Sequence, residues 1–192
     1  LYPASTLLEF QTTRRLMSSA AALSGGEVAL VCVDPEGQLL LLRGFPARGQ
    51  WEAPRRITRS AGTCFQPSLV WNAAGATLHV LLVEEQEGAW RLLLTSLSER
   101  SSIITGPFVL VDSARTGTFP FSPRGVLAGE QLWVFYQARP RWQKDRTPRE
   151  ELRRLVLDAR TLAPVEDRNL GAAEERNVLP LPVAWRDQVL LF

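Results

Sequence analysis

The sequence predicts an all-β protein, specifically a β-propeller with about three and a half four-stranded blades in this chain, as part of a larger ring. Three observations predict it: strongly apolar strand-like segments recur, turn residues separate them, and the apolar runs are continuous rather than alternating. The recurring segments are Val28–Val31, Leu78–Leu81, Leu132–Phe135 and Val189–Phe192. Their first residues are separated by 50, 54 and 57 positions, a period typical of propeller blades.

The apolar segments also indicate how the strands are covered. A strand that alternates apolar and polar residues covers one face of a sheet, whereas a continuously apolar strand suits burial on both faces. Each blade of a propeller packs between two neighbours, so its inner strands are buried on both sides. Continuous runs such as Leu132–Phe135 therefore favour stacked blades over a single sheet.

The first repeat is predicted to cover about residues 14–62. Ser24-Gly25-Gly26 indicates a turn because glycine tolerates positive φ, and Asp34–Gly37 indicates another because Pro35 presets the second turn position. The strands predicted around these turns are Met17–Leu23, Glu27–Asp34, Gln38–Arg43 and Trp51–Thr58. Residues 1–13, with the apolar Leu7–Gln11, predict one strand from a preceding unit.

The second repeat, at about residues 63–117, and the third, at about 118–172, follow the same order. The strands predicted for the second are Pro67–Trp71, Thr77–Glu84, Ala89–Ser96 and Phe108–Val111. Those predicted for the third are Ser122–Leu127, Gln131–Ala138, Leu152–Asp158 and Val165–Leu170, with a polar loop over Arg139–Pro148. Residues 149–159 would also permit a helix with charged neighbours one turn apart, but the apolar Leu155–Leu157 favours a strand.

The last repeat, at about residues 173–192, is incomplete, with strands predicted only over Val178–Trp185 and Gln188–Phe192. Closed propellers use four to eight blades, so two interpretations follow. Residues 1–192 form one propeller domain or part of a larger propeller that continues beyond Phe192, or residues 7–11 join the last blade and close a four-bladed ring. The wholly apolar end would leave a bare strand edge, which favours the larger ring.

Composition excludes several classes of partner and cofactor. The chain has 22 basic and 20 acidic residues and a net charge of +2, which argues against nucleic acid or an anionic membrane surface as partner. No apolar run is long enough to predict a membrane span. Cys32 and Cys64 are expected to be buried thiols rather than a disulfide. Without a Cys/His cluster or a glycine-rich phosphate loop, we expect no metal and no cofactor.

One turn carries a resemblance to a known family. Residues 43–58 read Arg-Gly-Phe-Pro-Ala-Arg-Gly-Gln-Trp-Glu-Ala-Pro-Arg-Arg-Ile-Thr, in which Gly49, Trp51, Pro54 and Ile57 match the layout of an Asp-box, or BNR, repeat. The Ser and Asp of that motif are absent, and one residue is missing before the Trp. The turn therefore resembles a degenerate motif of the sialidase-like propellers. The resemblance implies a propeller in which the Gly permits a tight backbone and the Trp fills the space between blades.

Similarity to sialidases would imply an arginine triad that grips a carboxylate, a tyrosine nucleophile and a paired acid. The candidate catalytic residues are then Arg43, Arg124 and Tyr136, and Arg91 could join the two arginines at the pore. For Tyr136, which lies in an apolar strand, the alternative is a packing role between blades.

Other glycosidases need two carboxylates that flank the scissile bond. Asp34, Glu84, Glu85 and Asp112 are candidates, although residues at turns and strand ends are usually solvated or bonded to local backbone. His79, the single histidine, lies in an apolar strand and is expected to be structural rather than a general base.

The aromatic residues give the candidates for ligand binding. Trp142 and Arg141 lie in the charged loop with no packing pattern around them, and they are the candidate ligand contacts. The other tryptophans follow strand patterns and are expected to be packing residues, namely Trp51, Trp71, Trp90, Trp133 and Trp185.

Together these observations predict a non-catalytic propeller scaffold that displays loops for protein or glycan binding, in an exported or cell-envelope protein. Its partners would be a protein or a glycan, and further blades of the same protein. The alternative is a sialidase-like or other glycoside hydrolase with part of its active site outside this segment. A structural component linked to lipid or to an assembly is a third hypothesis.

Overall fold

The computed structural model describes residues 18–57, 62–98, 104–140, 150–172, 180–185 and 188–192. Within these residues the chain forms antiparallel β-sheets, most of them built from strands consecutive in sequence. The one α-helix among them, α1, spans only Ser113–Thr116. The predicted all-β propeller fold is confirmed. The division of the chain into one domain with the repeat bounds given above stays a prediction.

Sheet 1 has the order β1-β2-β3-β4, with β5 also paired to β3. Its strands are β1 Ser18–Ala22, β2 Val28–Val33, β3 Leu39–Phe45, β4 Gln50–Trp51 and β5 Arg55–Arg56. The single fourth strand predicted over Trp51–Thr58 is thus split into two short pieces, both of which pair with β3.

Sheets 2 and 3 are regular four-stranded sheets. Sheet 2 contains β6 Thr63–Asn72, β7 Thr77–Gln86, β8 Ala89–Ser98 and β9 Ile104–Asp112. Sheet 3 contains β10 Thr118–Ala128, β11 Gln131–Pro140, β12 Glu151–Asp158 and β13 Pro164–Ala172. The strand favoured over a helix for residues 152–158 is confirmed, because β12 pairs with β11 along its whole length.

Sheet 4 is a hairpin of β14 Pro182–Trp185 and β15 Gln188–Leu191. The first strands of the sheets contact one another in series: β1 meets β6, β6 meets β10, and β10 meets β14. Each later strand of a sheet lies farther from this row of first strands. This radial arrangement around a row of inner strands is that of consecutive propeller blades.

Two hydrophobic clusters fill the junctions between sheets, as the continuous apolar runs predict. Cluster 1 lies between sheets 1 and 2, and cluster 2 lies between sheets 2 and 3. Strand β7 contributes to both, because Val80 and Leu82 face cluster 1 while Leu81 faces cluster 2. Burial on both faces explains the continuous apolar run Val80–Val83 in this strand.

The inner strands are linked by hydrogen bonds as well as by packing. Strands β6 and β10 carry bulges at equivalent places, in Phe65–Ser68 and in Phe121–Arg124. The residue before the proline has φ 49° in both, at Gln66 and Ser122. Gln66 Oε1 accepts a 2.7 Å hydrogen bond from the Ser122 backbone N–H, so one bulge is tied to the next. The Phe-x-Pro sequence of both bulges is a repeat signal absent from the prediction above.

Candidate functional site

A pocket opens at the junction of sheets 1 and 2, near the ends of β1, β6 and β8. Its apolar floor is formed by Leu23, Leu41, Leu78 and Leu97. Its rim carries two guanidinium groups, an indole ring and a hydroxyl group, contributed by Arg43, Arg55, Trp71 and Ser98. The cavity is small: its empty volume of about 260 Å³ includes open solvent, whereas ligand pockets usually have about 300–1,000 Å³, so it can contact part of a ligand but not enclose one. One predicted site residue, Arg43, is therefore placed at a cavity.

The guanidinium of Arg43 is held by Glu27. Arg43 Nε lies 2.7 Å from Glu27 Oε1, and Nη2 lies 2.9 Å from Oε2. The side chains of Arg43 and Glu27 are 20% and 12% exposed. Such a two-point contact fixes the orientation of the guanidinium and offsets its charge. Arg43 therefore lines the pocket as a fixed, compensated group.

Arg55 lies on the short strand β5, opposite Leu41, and is half-buried. The Arg55 guanidinium has neither an ion pair nor a hydrogen bond with any described residue. Its neighbour Arg56 differs, since the Arg56 Nη2 atom lies 3.1 Å from Glu36 and 3.8 Å from Asp34. The pocket therefore holds one compensated guanidinium and one whose charge no described carboxylate offsets.

The turn that resembles an Asp-box borders this pocket. Pro46–Arg48 form one 3₁₀ turn, which ends at Gly49 with φ 64°. A left-handed φ favours glycine, which explains the Gly of the motif. Trp51 packs over Gly44 of its own sheet, where a Cβ atom would lie 2.8 Å from the indole. The contact found for Trp51 is thus within sheet 1, whereas the resemblance implied a position between sheets.

The structure does not bring the three predicted catalytic residues together. Arg43 lies at the junction of sheets 1 and 2, but Tyr136 lies in cluster 2 between sheets 2 and 3. Arg124 pairs with Phe135, so its side chain and that of Tyr136 point to opposite faces of sheet 3. Arg124 Nη1 donates to the Pro123 carbonyl oxygen at 3.0 Å.

Tyr136 has the surroundings of a packing residue. Its side chain is 2% exposed, and burial raises the pKa of its hydroxyl group to about 12, with Asp167 adding to the effect. A nucleophilic tyrosine needs the opposite shift, because its phenolate must form readily. The geometry therefore matches the alternative role between blades more closely than the catalytic one.

The remaining tryptophans have different environments. Trp90 lies between sheets 2 and 3, where its ring centroid is 5.5 Å from that of Phe65 and 5.2 Å from that of Phe121. The Trp90 packing prediction is confirmed, and both phenylalanines belong to the Phe-x-Pro bulges. Trp185 is instead 61% exposed, so its packing role stays a prediction. The ligand candidates Trp142 and Arg141 lie outside the described residues.

A row of chemically reactive side chains crosses sheet 2 at the end opposite the pocket. The backbone register aligns Cys64, Glu84, Arg91 and Asp112 on strands β6 to β9. Glu84 Oε2 lies 3.7 Å from Arg91 Nη1, and Arg91 Nε lies 3.8 Å from Asp112 Oδ2. Two of the candidate carboxylates thus flank one guanidinium, although Glu84 is buried and out of reach of a large substrate.

His79 has a structural environment. Its side chain is buried, with Nδ1 2.8 Å from Ser96 Oγ and with Nε2 lacking a hydrogen-bond partner. Burial lowers the His79 pKa to about 4, so the ring is neutral near neutral pH. Cys32 and Cys64 are free and buried, as expected. Among the described residues no three His, Cys, Asp or Glu side chains form a group that could hold a metal ion.

Comparisons with known proteins support the fold and leave the activity open. No family model matches the chain, and no curated protein matches it. Among solved structures the chain is similar to the native Bacillus subtilis arabinanase Arb43A, with 11% sequence identity and a TM-score of 0.52. The match covers 85% of this chain and 61% of the arabinanase, which is a β-propeller glycoside hydrolase. This likeness shows the fold alone.

The chain thus spans about 61% of the length of the solved propeller it matches. No helix among the described residues has the length and apolar content that crossing a membrane requires. The resemblance to the sialidase-like family still rests on the single turn at residues 43–58.

Proposed function

We propose that this protein is a non-catalytic β-propeller module that binds a glycan in the pocket between sheets 1 and 2. The observation that carries the proposal is the guanidinium of Arg55, which pairs with no described residue, in a pocket whose other guanidinium, on Arg43, is already held by Glu27. A half-buried cation without an anion retains donors that a ligand can engage.

The other groups of the pocket suit a sugar. Trp71 offers an indole ring, on which the apolar face of a sugar ring can pack, and Ser98 offers a hydroxyl group. The leucine floor excludes water from one side of a bound ring, which strengthens the hydrogen bonds at the rim. Trp142 and Arg141 remain proposed contacts for the same or a larger partner.

Glycan binding is tested on a glycan array, followed by calorimetry with the best oligosaccharide. We expect Arg55→Gln to weaken binding about tenfold or more, because one charge-assisted hydrogen bond contributes about 1.5–3 kcal/mol. Arg160→Gln is the matched control, since Arg160 is exposed on sheet 3 in an ion pair with Glu130. Absence of any glycan ligand, or equal affinity of the Arg55 variant, would refute the proposal.

The alternative function is glycoside hydrolysis. The arabinanase likeness and the two carboxylates beside Arg91 favour it, and burial of Glu84 and Tyr136 argues against it. A panel of fluorogenic glycosides tests it. Turnover by the parent protein that is lost in Asp112→Asn or Arg124→Gln would support hydrolysis and overturn the proposal of a non-catalytic binding module. Export to the periplasm, the cell surface or the medium is part of the proposal, and fractionation of the source cells tests it.

A further inference from the structure

Glu84 is a buried carboxyl group whose hydrogen-bonding capacity is not met. Its side chain is 2% exposed, and Oε1 has no hydrogen-bond partner among the described residues. The backbone at Gly62 lies directly over it, because a Cβ atom built on Gly62 would be 2.6 Å from Glu84 Cγ and 2.8 Å from Cδ. A carboxylate oxygen sealed from water in this way is costly when it is charged.

The charges around Glu84 compensate it only in part. Its nearest cation is Arg91, at 3.7 Å, which is beyond hydrogen-bond distance. Arg91 is shared, since it donates to Gln86 Oε1 at 3.1 Å and lies 3.8 Å from Asp112. One positive charge thus serves two carboxylates. Burial raises the pKa of Glu84, and Arg91 opposes that rise.

Within the described part of the chain, the groups that face Glu84 from the other elements are a thiol and a carboxylate. Cys64 lies opposite it on β6, and burial raises the pKa of that thiol to about 12, with further contributions from Glu84 and Asp34. Asp34 belongs to the turn of sheet 1 that docks on β6. Asp34 Oδ1 accepts the Gln38 N–H, and its Oδ2 lies 3.8 Å from Arg56. Sheet 1 thus brings to this junction one carboxylate, Asp34, whose charge Arg56 offsets in part.

The same turn holds sheets 1 and 2 together at this end. The Cys64 backbone N–H donates to the Gly37 carbonyl oxygen at 2.8 Å. Gly37 packs so closely on Thr63 that a Cβ atom would lie 2.6 Å from its methyl group. We expect movement of this contact or of the Gly62 backbone to admit water to Glu84, which is 2% exposed. Ionisation of Glu84 and opening of the junction are thereby linked.

We propose that Glu84 is a pH-sensitive device in the junction of sheets 1 and 2: protonated, it keeps the junction closed, and ionised, it favours opening. The direction of this pH effect follows from the raised pKa of Glu84 in the folded protein. The stabilisation is fully present below the pKa of Glu84 in the unfolded chain, and it is lost as the pH rises through the folded-state pKa.

Thiol labelling of Cys64 tests the proposal, because opening exposes this buried thiol. The protein carries Cys32→Ala so that dithiodipyridine reports on Cys64 alone, and the rate is measured from about pH 5 to about pH 8. Dividing by the rate in the Glu84→Gln variant removes the intrinsic pH dependence of the thiol. We expect this ratio to rise about tenfold between about pH 5 and about pH 8. A buried carboxylate that lacks hydrogen bonds should destabilise the closed junction by an amount of this size.

The matched control is Glu85→Gln, which changes the neighbouring carboxyl group on the other face of β7 and keeps the oxygen that accepts the Gly88 N–H. It should behave as the parent. A ratio that stays flat with pH, or a Glu84→Gln protein that labels faster throughout, would overturn the proposal. If Glu84→Gln fails to fold, hydrogen exchange of the Cys64 amide in the unmodified chain decides: its protection must fall with pH relative to that of Val80.

Discussion

Replacing Gly125 by valine is expected to destabilise the protein by about 3 kcal/mol, which lowers the melting temperature by about 10 °C. Gly125 lies on β10, where sheet 3 faces sheet 2. A Cβ atom there would lie 2.5 Å from Val70 Cγ2 and 2.7 Å from Leu81 Cδ1. Both neighbours are buried in cluster 2, so neither can move aside without disturbing the junction. Urea unfolding followed by tryptophan fluorescence measures the loss.

The control for this prediction is the same substitution at Gly75, in the turn between β6 and β7. Its nearest atom would be the flexible Asn72 amide, at 3.3 Å. Gly75→Val should therefore cost about 1 kcal/mol or less. Equal unfolding midpoints for the two variants would show that sheets 2 and 3 do not pack as described.

Leu39→Ala is the second substitution with a large expected effect, a loss of about 3 kcal/mol. Leu39 is 1% exposed and lies in cluster 1, where sheet 1 meets sheet 2. Removing three side-chain carbons leaves a cavity that the two sheets, each held by its own backbone ladder, can close only in part. Differential scanning calorimetry gives the change in melting temperature and in the enthalpy of unfolding.

The neighbouring Leu40→Ala is the matched control, because it has the same chemistry on the same strand but points to the opposite face, where Leu40 is partly exposed. We expect it to cost less than half as much. If Leu40→Ala proves the more damaging change, the face of sheet 1 that packs on sheet 2 has been assigned to the wrong side.

The strands could be predicted because their signals are local. Gly and Pro mark several of the turns, where the backbone needs positive φ or a fixed φ, and β7 carries the continuous apolar run Val80–Val83 because both of its faces are covered there. The prediction for β12 shows the same logic, since Leu155–Leu157 outweighed the charges that permitted a helix. Trp185 shows the limit of local signals. It lies in a strand pattern but is 61% exposed, because the pattern does not say which neighbouring element covers the residue.

The candidate site could be predicted only in part. Arg43 was found from the turn that contains it, but Arg55 was missed because Arg55-Arg56 carries no motif. Only the pairing of β5 with β3 places Arg55 at the pocket and Arg56 near Asp34. The row from Cys64 to Asp112 could not be predicted as a group either, because its members lie on four strands and only the strand register brings them together.

The sequence by itself determined the period, the strand order within each sheet and the burial of the apolar runs in β2, β7 and β11, because these follow from residues close together along the chain. The corresponding strand of sheet 4, β15, is largely exposed. Only the tertiary structure decided which groups distant in sequence come together: Arg43 and Arg55 line one pocket, Gln66 bonds to Ser122 of the next sheet, and the Gly62 backbone lies over the carboxyl group of Glu84. These contacts depend on strand register and sheet stacking, and a shift of one residue in either would replace every one of them.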